Sequence, residues 1–194
     1  MSENTHRHFC LNKPYGYLSQ FINNKRRKKK LLSALYDFPE GTMAVGRLDV
    51  KSEGLLLLTT NGKLSQLIRS RKIEKEYWVE VDGLVNQKEV DQLKNGLEIK
   101  IDGKDYQTLP CNAKIIPPPN NSFIAKRQVR DERHGKTSWL SICLVEGKFH
   151  QVRKMTARIG HPTLRLIRYR IGKETLEGLE SGEVKRVETF QLTD

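Results

Sequence analysis

Four consecutive leucines, Leu55 to Leu58, stand between Gly54 and the pair Thr59-Thr60. A run of this length is too short for an independent helix, and it suits a strand covered on both faces. Just ahead of it lies a polar turn, Val45-Gly46-Arg47-Leu48-Asp49-Val50-Lys51-Ser52-Glu53, and just behind it Asn61 offers a cap to a helix with Leu64, Leu67 and Ile68 at i, i+3 and i+4. A carboxylate on a turn that leads into a buried strand rests on a rigid support while its side chain faces outward, a placement that suits a catalytic group. By itself this is weak, because an aspartate in such a turn ordinarily satisfies a backbone amide or joins a surface ion pair.

With 194 residues, the chain is long enough for a sizeable core, and a single domain over residues 1–194 is expected, with room for two subdomains flanking a cleft. Its 35 basic against 23 acidic side chains give a net charge of +12, an excess that points to a polyanionic partner, nucleic acid first. Cys10, Cys111 and Cys143 are widely spaced and odd in number, so neither a disulfide framework nor a metal site is expected. No signal-peptide core and no stretch of roughly 20 apolar residues is present, which leads us to expect a cytoplasmic protein with no membrane partner.

Taken in order, His8 to Leu11 read as a short strand running into a turn at Asn12-Lys13-Pro14-Tyr15-Gly16. Lys25 to Lys30 are six consecutive basic residues, expected to form a loop that contacts phosphates, and Leu31, Leu32, Leu35 and Tyr36 space as a short amphipathic helix. From Lys75 to Gly83 the alternation puts Tyr77, Val79 and Val81 on one face of a strand, where a tyrosine is ordinarily part of the core. Asn86 and Glu89 form a capping-box pattern, Val85 and Val90 occupy the staple positions, and Gly96 ends that helix. Strand-like pieces follow near Leu97 to Lys100 and Cys111 to Ile116, with the turn dipeptide Asp102-Gly103 between them. The polar stretch from Pro117 to Lys136 is expected to order only on binding. After a strand from Thr137 to Val145, the chain turns at Glu146-Gly147 into a helix with the stripe Val152, Met155 and Ile159, ended by Gly160 and Pro162.

Gly-Arg-Leu-Asp at 46–49, followed by Gly-Leu-Leu-Leu-Leu-Thr at 54–59 and Asn-Gly at 61–62, resembles the signature of the pseudouridine synthases of the RsuA and RluA type. Asn61 stands where that family often has aspartate. Leu-Asn-Lys-Pro at 11–14, Lys-Glu-Tyr at 75–77, and Glu-Gly followed by His-Gln-Val-Arg-Lys-Met at 150–155 resemble further motifs of the same family, in the same order. Leu164 to Gly172 resembles a segment of the RsuA branch, and the compact length implies a member without the small N-terminal S4-type RNA-binding domain that many of them carry. The resemblance implies an α+β fold, a bent, mixed and mostly antiparallel sheet with flanking helices and a central RNA-binding cleft. It implies Asp49, Tyr77 and Arg153 as catalytic residues: Asp49 the reacting carboxylate, Tyr77 against the target uracil, Arg153 the partner of the carboxylate. Lys13, Arg47, His150, Gln151, Lys154, Arg165 and Arg168 are the expected RNA contacts.

The implied activity is isomerisation of a specific uridine of large-subunit (23S) ribosomal RNA to pseudouridine, by a monomer that uses no cofactor and no metal. Alternatives are a synthase acting on small-subunit ribosomal RNA or transfer RNA, and a non-catalytic assembly protein that binds ribosomal RNA through the same basic surface. A DNA-binding reading, with the Phe149 to Arg158 helix in a groove, lacks a helix-turn-helix partner or a dimer seam.

Overall fold

The computed structural model describes residues 6–22, 29–70 and 73–192, so Lys25 to Lys28 of the basic run lie outside the described residues. The chain divides into two compact units: Met1–Ile73 with Ser122–Ala125 and Tyr169–Asp194, and Glu74–Asn121 with Lys126–Arg168.

In the first unit, β1 (His8–Lys13) lies between β3 (Glu53–Thr59) and β11 (Val184–Val187), antiparallel to both, and β2 (Met43–Ala44) pairs with the end of β3. Every residue of β3 is buried, as the leucine run predicts. Leu56 and Leu58 pack with Phe9, Leu11 and Leu32, while Leu55 and Leu57 bury the opposite face, following the two-residue period of a strand. Asn61 caps α1 (Gly62–Ser70) by accepting a hydrogen bond from the Leu64 amide at 3.0 Å. The face of α1 that is covered carries Ser65 and Ile68, whereas Leu67 is 43% exposed, so the expected apolar stripe is displaced by part of a turn.

The helix expected at Leu31 to Tyr36 is only a 3-10 turn, Leu32–Ala34. The entering chain is drawn instead into extended contacts, Leu18 N to Lys30 O at 2.9 Å and Leu32 N to Gln20 O at 3.1 Å, and so short a segment has no room to nucleate a helix before Pro39.

In the second unit, β4 (Lys75–Asp82) pairs antiparallel with β8 (Thr137–Leu144) along its whole length, and β7 (Asn112–Ile116) takes the other edge of β8. Val79, Val81, Leu93, Leu140, Ile142 and Met155 are fully buried at its centre. α2 (Gln87–Asn95) begins with both halves of the capping box between Asn86 and Glu89 in place. Asp102 and Gly103, both at positive φ, turn a hairpin between β5 (Glu98–Ile101) and a strand the sequence did not announce, β6 (Lys104–Gln107). At Gly96 only glycine fits: φ is +84°, and a Cβ would meet the Thr108 carbonyl oxygen at 2.4 Å.

α3 (Gln151–Arg158) follows β8, and β9 (Thr163–Ile171) starts in the second unit and ends in the first, where β10 (Glu174–Thr175) folds back on it. Antiparallel strands with three α-helices among the described residues make an α+β architecture. The stretch from Pro117 to Lys136, expected to order only on binding, is held in place. Within the first unit, buried Phe123 accepts a hydrogen bond at its carbonyl from Asn12 Nδ2 at 2.8 Å; within the second, Arg130 forms a two-pronged ion pair with Asp82 that holds this carboxyl below its ordinary range.

Candidate active site

The Asp49 turn is fixed by its backbone. Val45 N donates to Leu57 O at 2.8 Å, and Gly46, at φ +71°, turns the chain away from β2. Ser19 Oγ accepts from the Leu48 amide at 3.0 Å and donates to the Leu48 carbonyl at 2.9 Å. Gly16 N bonds Val50 O, and Ser52 N bonds Asp49 O, at 2.8 and 2.9 Å. The residues before and after Asp49 are thereby pinned, Leu48 with its side chain buried, and the Asp49 carboxylate is left at a partly exposed position. The same bonds bring the Pro14 to Gly16 turn against the Asp49 turn, so two of the sequence motifs meet within the first unit. Arg47 is exposed beside them.

Lys13 does not take the role expected of it. Its side chain is completely buried and its ammonium donates to the carbonyls of Pro14 and Tyr17 at 2.9 and 2.8 Å, which ties the turn shut and keeps the charge from any phosphate.

In the second unit, Tyr77 on β4 sits opposite Ile142 of β8, half-buried against the core. Arg153 stands on the first turn of α3, partly exposed, while Val152 and Met155 turn into the core. His150, just ahead of α3, is in the left-handed region at φ +55° and stacks on the exposed Phe149 ring with centroids 3.9 Å apart. Lys154 Nζ lies 5.4 Å from the same ring. His150 is exposed and Lys154 partly exposed.

Gln151 does not. It is buried, accepts from the Lys148 amide at 3.0 Å and donates to Glu146 Oε2 at 2.7 Å, so it shapes the start of the helix. Glu146 also accepts from the Tyr106 hydroxyl and, at 2.9 Å, from the Leu109 amide. Burial alone raises the Glu146 carboxyl, but these donors, with Lys148 nearby, outweigh it and leave the group below its ordinary range; the same bond raises the Tyr106 phenol.

Arg165 and Arg168 on β9 are buried, at 5% and 6% exposure, so they are not the open phosphate contacts expected of them. Lys75 is lowered by burial and then by the charge of Arg168, so basic groups gather in this part of the second unit. Neither Ser19 nor Glu146 was among the expected site residues, although Glu146 opens the motif that continues through His150 to Met155. Among the described residues no group of three or more His, Cys, Asp or Glu side chains is arranged to hold a metal ion.

Residues 7–158 match the model of the RNA pseudouridylate synthase family. The chain belongs to that family. It is an RNA pseudouridine synthase, an isomerase, and the matched span contains Asp49, Tyr77 and Arg153 but not Arg165 or Arg168. The chain is 41% identical over 179 residues to ribosomal large subunit pseudouridine synthase E of Vibrio parahaemolyticus, covering 91% of this synthase and 72% of the relative. It is 37% identical over 171 residues to the protein of the same name from Xanthomonas axonopodis pv. citri, covering 87% of each. A crystal structure of a pseudouridylate synthase superposes with a TM-score of 0.73 at 28% identity, covering 94% of this synthase and 70% of that chain. Human RNA pseudouridylate synthase domain containing 1, at 15% identity and a TM-score of 0.57, shares the fold.

Proposed function

We propose that this synthase isomerises a specific uridine of large-subunit ribosomal RNA, with Asp49 as the reacting carboxylate, Tyr77 against the flipped base and Arg153 favouring the charged carboxylate. The observation that carries the choice of RNA is the likeness, along most of the chain, to relatives named for the large ribosomal subunit. The reaction breaks the bond from ribose to uracil nitrogen, turns the base and rejoins it through carbon. A charged carboxylate either adds to an electrophilic carbon or takes a proton in such a sequence. Desolvation favours the neutral acid, and a neighbouring guanidinium reverses that preference. A uracil inside folded RNA must leave its stack before a carboxylate reaches it, and a flat, half-buried ring such as Tyr77 offers it a new surface. Mapping pseudouridines in ribosomal RNA from cells lacking and then regaining the protein tests the proposal: one large-subunit uridine should lose and recover the modification, and an unchanged large-subunit map sinks the choice of RNA.

Two further outcomes are expected. Arg153→Lys keeps the charge and loses the planar fork, and it should slow single-turnover isomerisation at least about tenfold, because an ammonium cannot hold a carboxylate in two-pronged geometry. A wild-type rate in this variant would reduce Arg153 to a general source of positive potential.

Replacing three lysines of the Lys25 to Lys30 run by serine should weaken binding to specific and unrelated RNA alike. The slope of log affinity against log salt should fall by roughly 0.7 to 0.9 per lost phosphate contact. An unchanged slope would mean that the run does not touch RNA.

A further inference from the structure

At the end of β1 remote from the Asp49 turn, the first unit encloses an open cavity of about 350 Å³. The pairing of β1 with β3 runs from His8↔Thr59 at this end to Lys13↔Gly54 at the other, five steps of about 3.4 Å, so roughly 17 Å of strand separates the cavity from the turn. Its wall is aromatic. Phe9 forms the base, Phe38 meets it edge-on with centroids 5.5 Å apart, and Tyr36, 43% exposed, lies 5.0 Å from Phe38 and 5.8 Å from Phe9.

Arg7 and Arg186 line one side: Arg186 is directly opposite Phe9 in the β1–β11 pairing and Arg7 is two residues from Phe9, so the strand period puts all three on one face. Asp37 and Glu40 line the cavity as well. Among the described residues none of these four charged side chains makes an ion pair, although two cations and two anions share one cavity.

We infer that this cavity is a subsite for an unpaired guanine nucleotide, with the base on Tyr36, its Watson–Crick edge on Asp37 or Glu40 and its phosphate on Arg7 and Arg186. Each part follows from chemistry. A half-exposed tyrosine is a stacking surface that accepts any base. Guanine carries adjacent N1–H and N2–H donors that match the two oxygens of a carboxylate, whereas uracil sets a single N–H between two carbonyl oxygens that a carboxylate repels. Two guanidinium groups on one strand face suit a phosphate. The inference deepens the proposed function by giving the enzyme a second RNA contact, and it rests on that reading only for the source of the nucleotide.

The test uses the full chain and fluorescein-labelled r(UUUGUUU) and r(UUUUUUU), read by fluorescence anisotropy. The guanine-containing heptamer should bind at least about fivefold more tightly, about 1 kcal/mol at 1.4 kcal/mol per tenfold, the low end of what a two-pronged contact to a base edge contributes to discrimination. Tyr36→Leu, and the pair Asp37→Asn with Glu40→Gln, should each erase that preference, with the chain still folded by circular dichroism. Competition by 5′-GMP but not 5′-UMP assigns the cavity to free nucleotides as well; a preference untouched by 5′-GMP assigns it to RNA alone. Equal affinity of the wild type for both heptamers, or a preference that survives in both variants, overturns the inference. Turnover on ribosomal RNA, measured alongside, reports on the proposed function separately.

Discussion

Asp49→Asn should lower tritium release from RNA carrying uridine labelled at carbon 5 to background, with folding intact and RNA affinity within a few-fold of wild type. An amide preserves the shape of the carboxyl group and removes its charge and nucleophilic capacity, so every step that needs an anion is lost together. The variant tests chemistry and not architecture because the turn is held by other groups: Ser19 on both polar atoms of the Leu48 backbone, Gly16 on the Val50 carbonyl, Ser52 on the carbonyl of residue 49. None of these bonds uses the Asp49 side chain. Near-normal release from the purified variant would remove Asp49 from the mechanism, and a lowered thermal midpoint would show that the carboxylate also supports the turn.

Leu56→Ala should cost about 2–5 kcal/mol of folding stability, the range for truncating a leucine in a packed core, and so consume a large share of the roughly 5–15 kcal/mol that holds a typical domain together. Leu56 has no exposed surface and packs among Phe9, Leu11, Leu32 and Leu58, with a β1 residue, Leu11, directly opposite. The neighbours are themselves strand residues locked in register and have little freedom to close the gap. Denaturant unfolding with the slope held in common between variants measures the loss. Leu67→Ala on α1 is the internal control: at 43% exposure it should shift stability by no more than about 0.5 kcal/mol. A loss below about 1 kcal/mol at Leu56 would contradict the two-sided burial of β3.

β3, α2 and α3 were legible because each announces itself through local chemistry: an apolar run with no polar position, a reciprocal cap at Asn86 and Glu89, and a stripe at Val152, Met155 and Ile159. Among the strands that the sequence did not announce, β6 with Lys104-Asp105-Tyr106-Gln107 and β11 with Val184-Lys185-Arg186-Val187 are short and carry charge where a buried strand would carry hydrocarbon. What makes them strands is the partner each pairs with, and that partner is not written in their own residues.

The same distinction divides the site. Asp49 stands out through a long motif on a turn, and in the structure it is partly exposed. Lys13 and Gln151, which belong to motifs just as visible, turn inward, since whether an ammonium or amide faces solvent depends on carbonyls and carboxylates that only the folded chain brings within reach. Arg165 and Arg168 on β9 are likewise buried.

β1 cannot gain its second neighbour until Val184 to Val187 have been made. His8 pairs with Val187 and Leu11 with Val184, while the first unit as a whole is assembled from three separated stretches of chain. During synthesis, β1 can meet β3 early, but its other edge stays open with unpaired backbone groups until β11 emerges from the ribosome. Closing so long a loop is entropically slow, and contacts of this separation set the pace of folding. A premature stop upstream of Val184 would therefore leave one edge of β1 exposed, and nascent chains of this kind would depend on chaperones for as long as that edge waits.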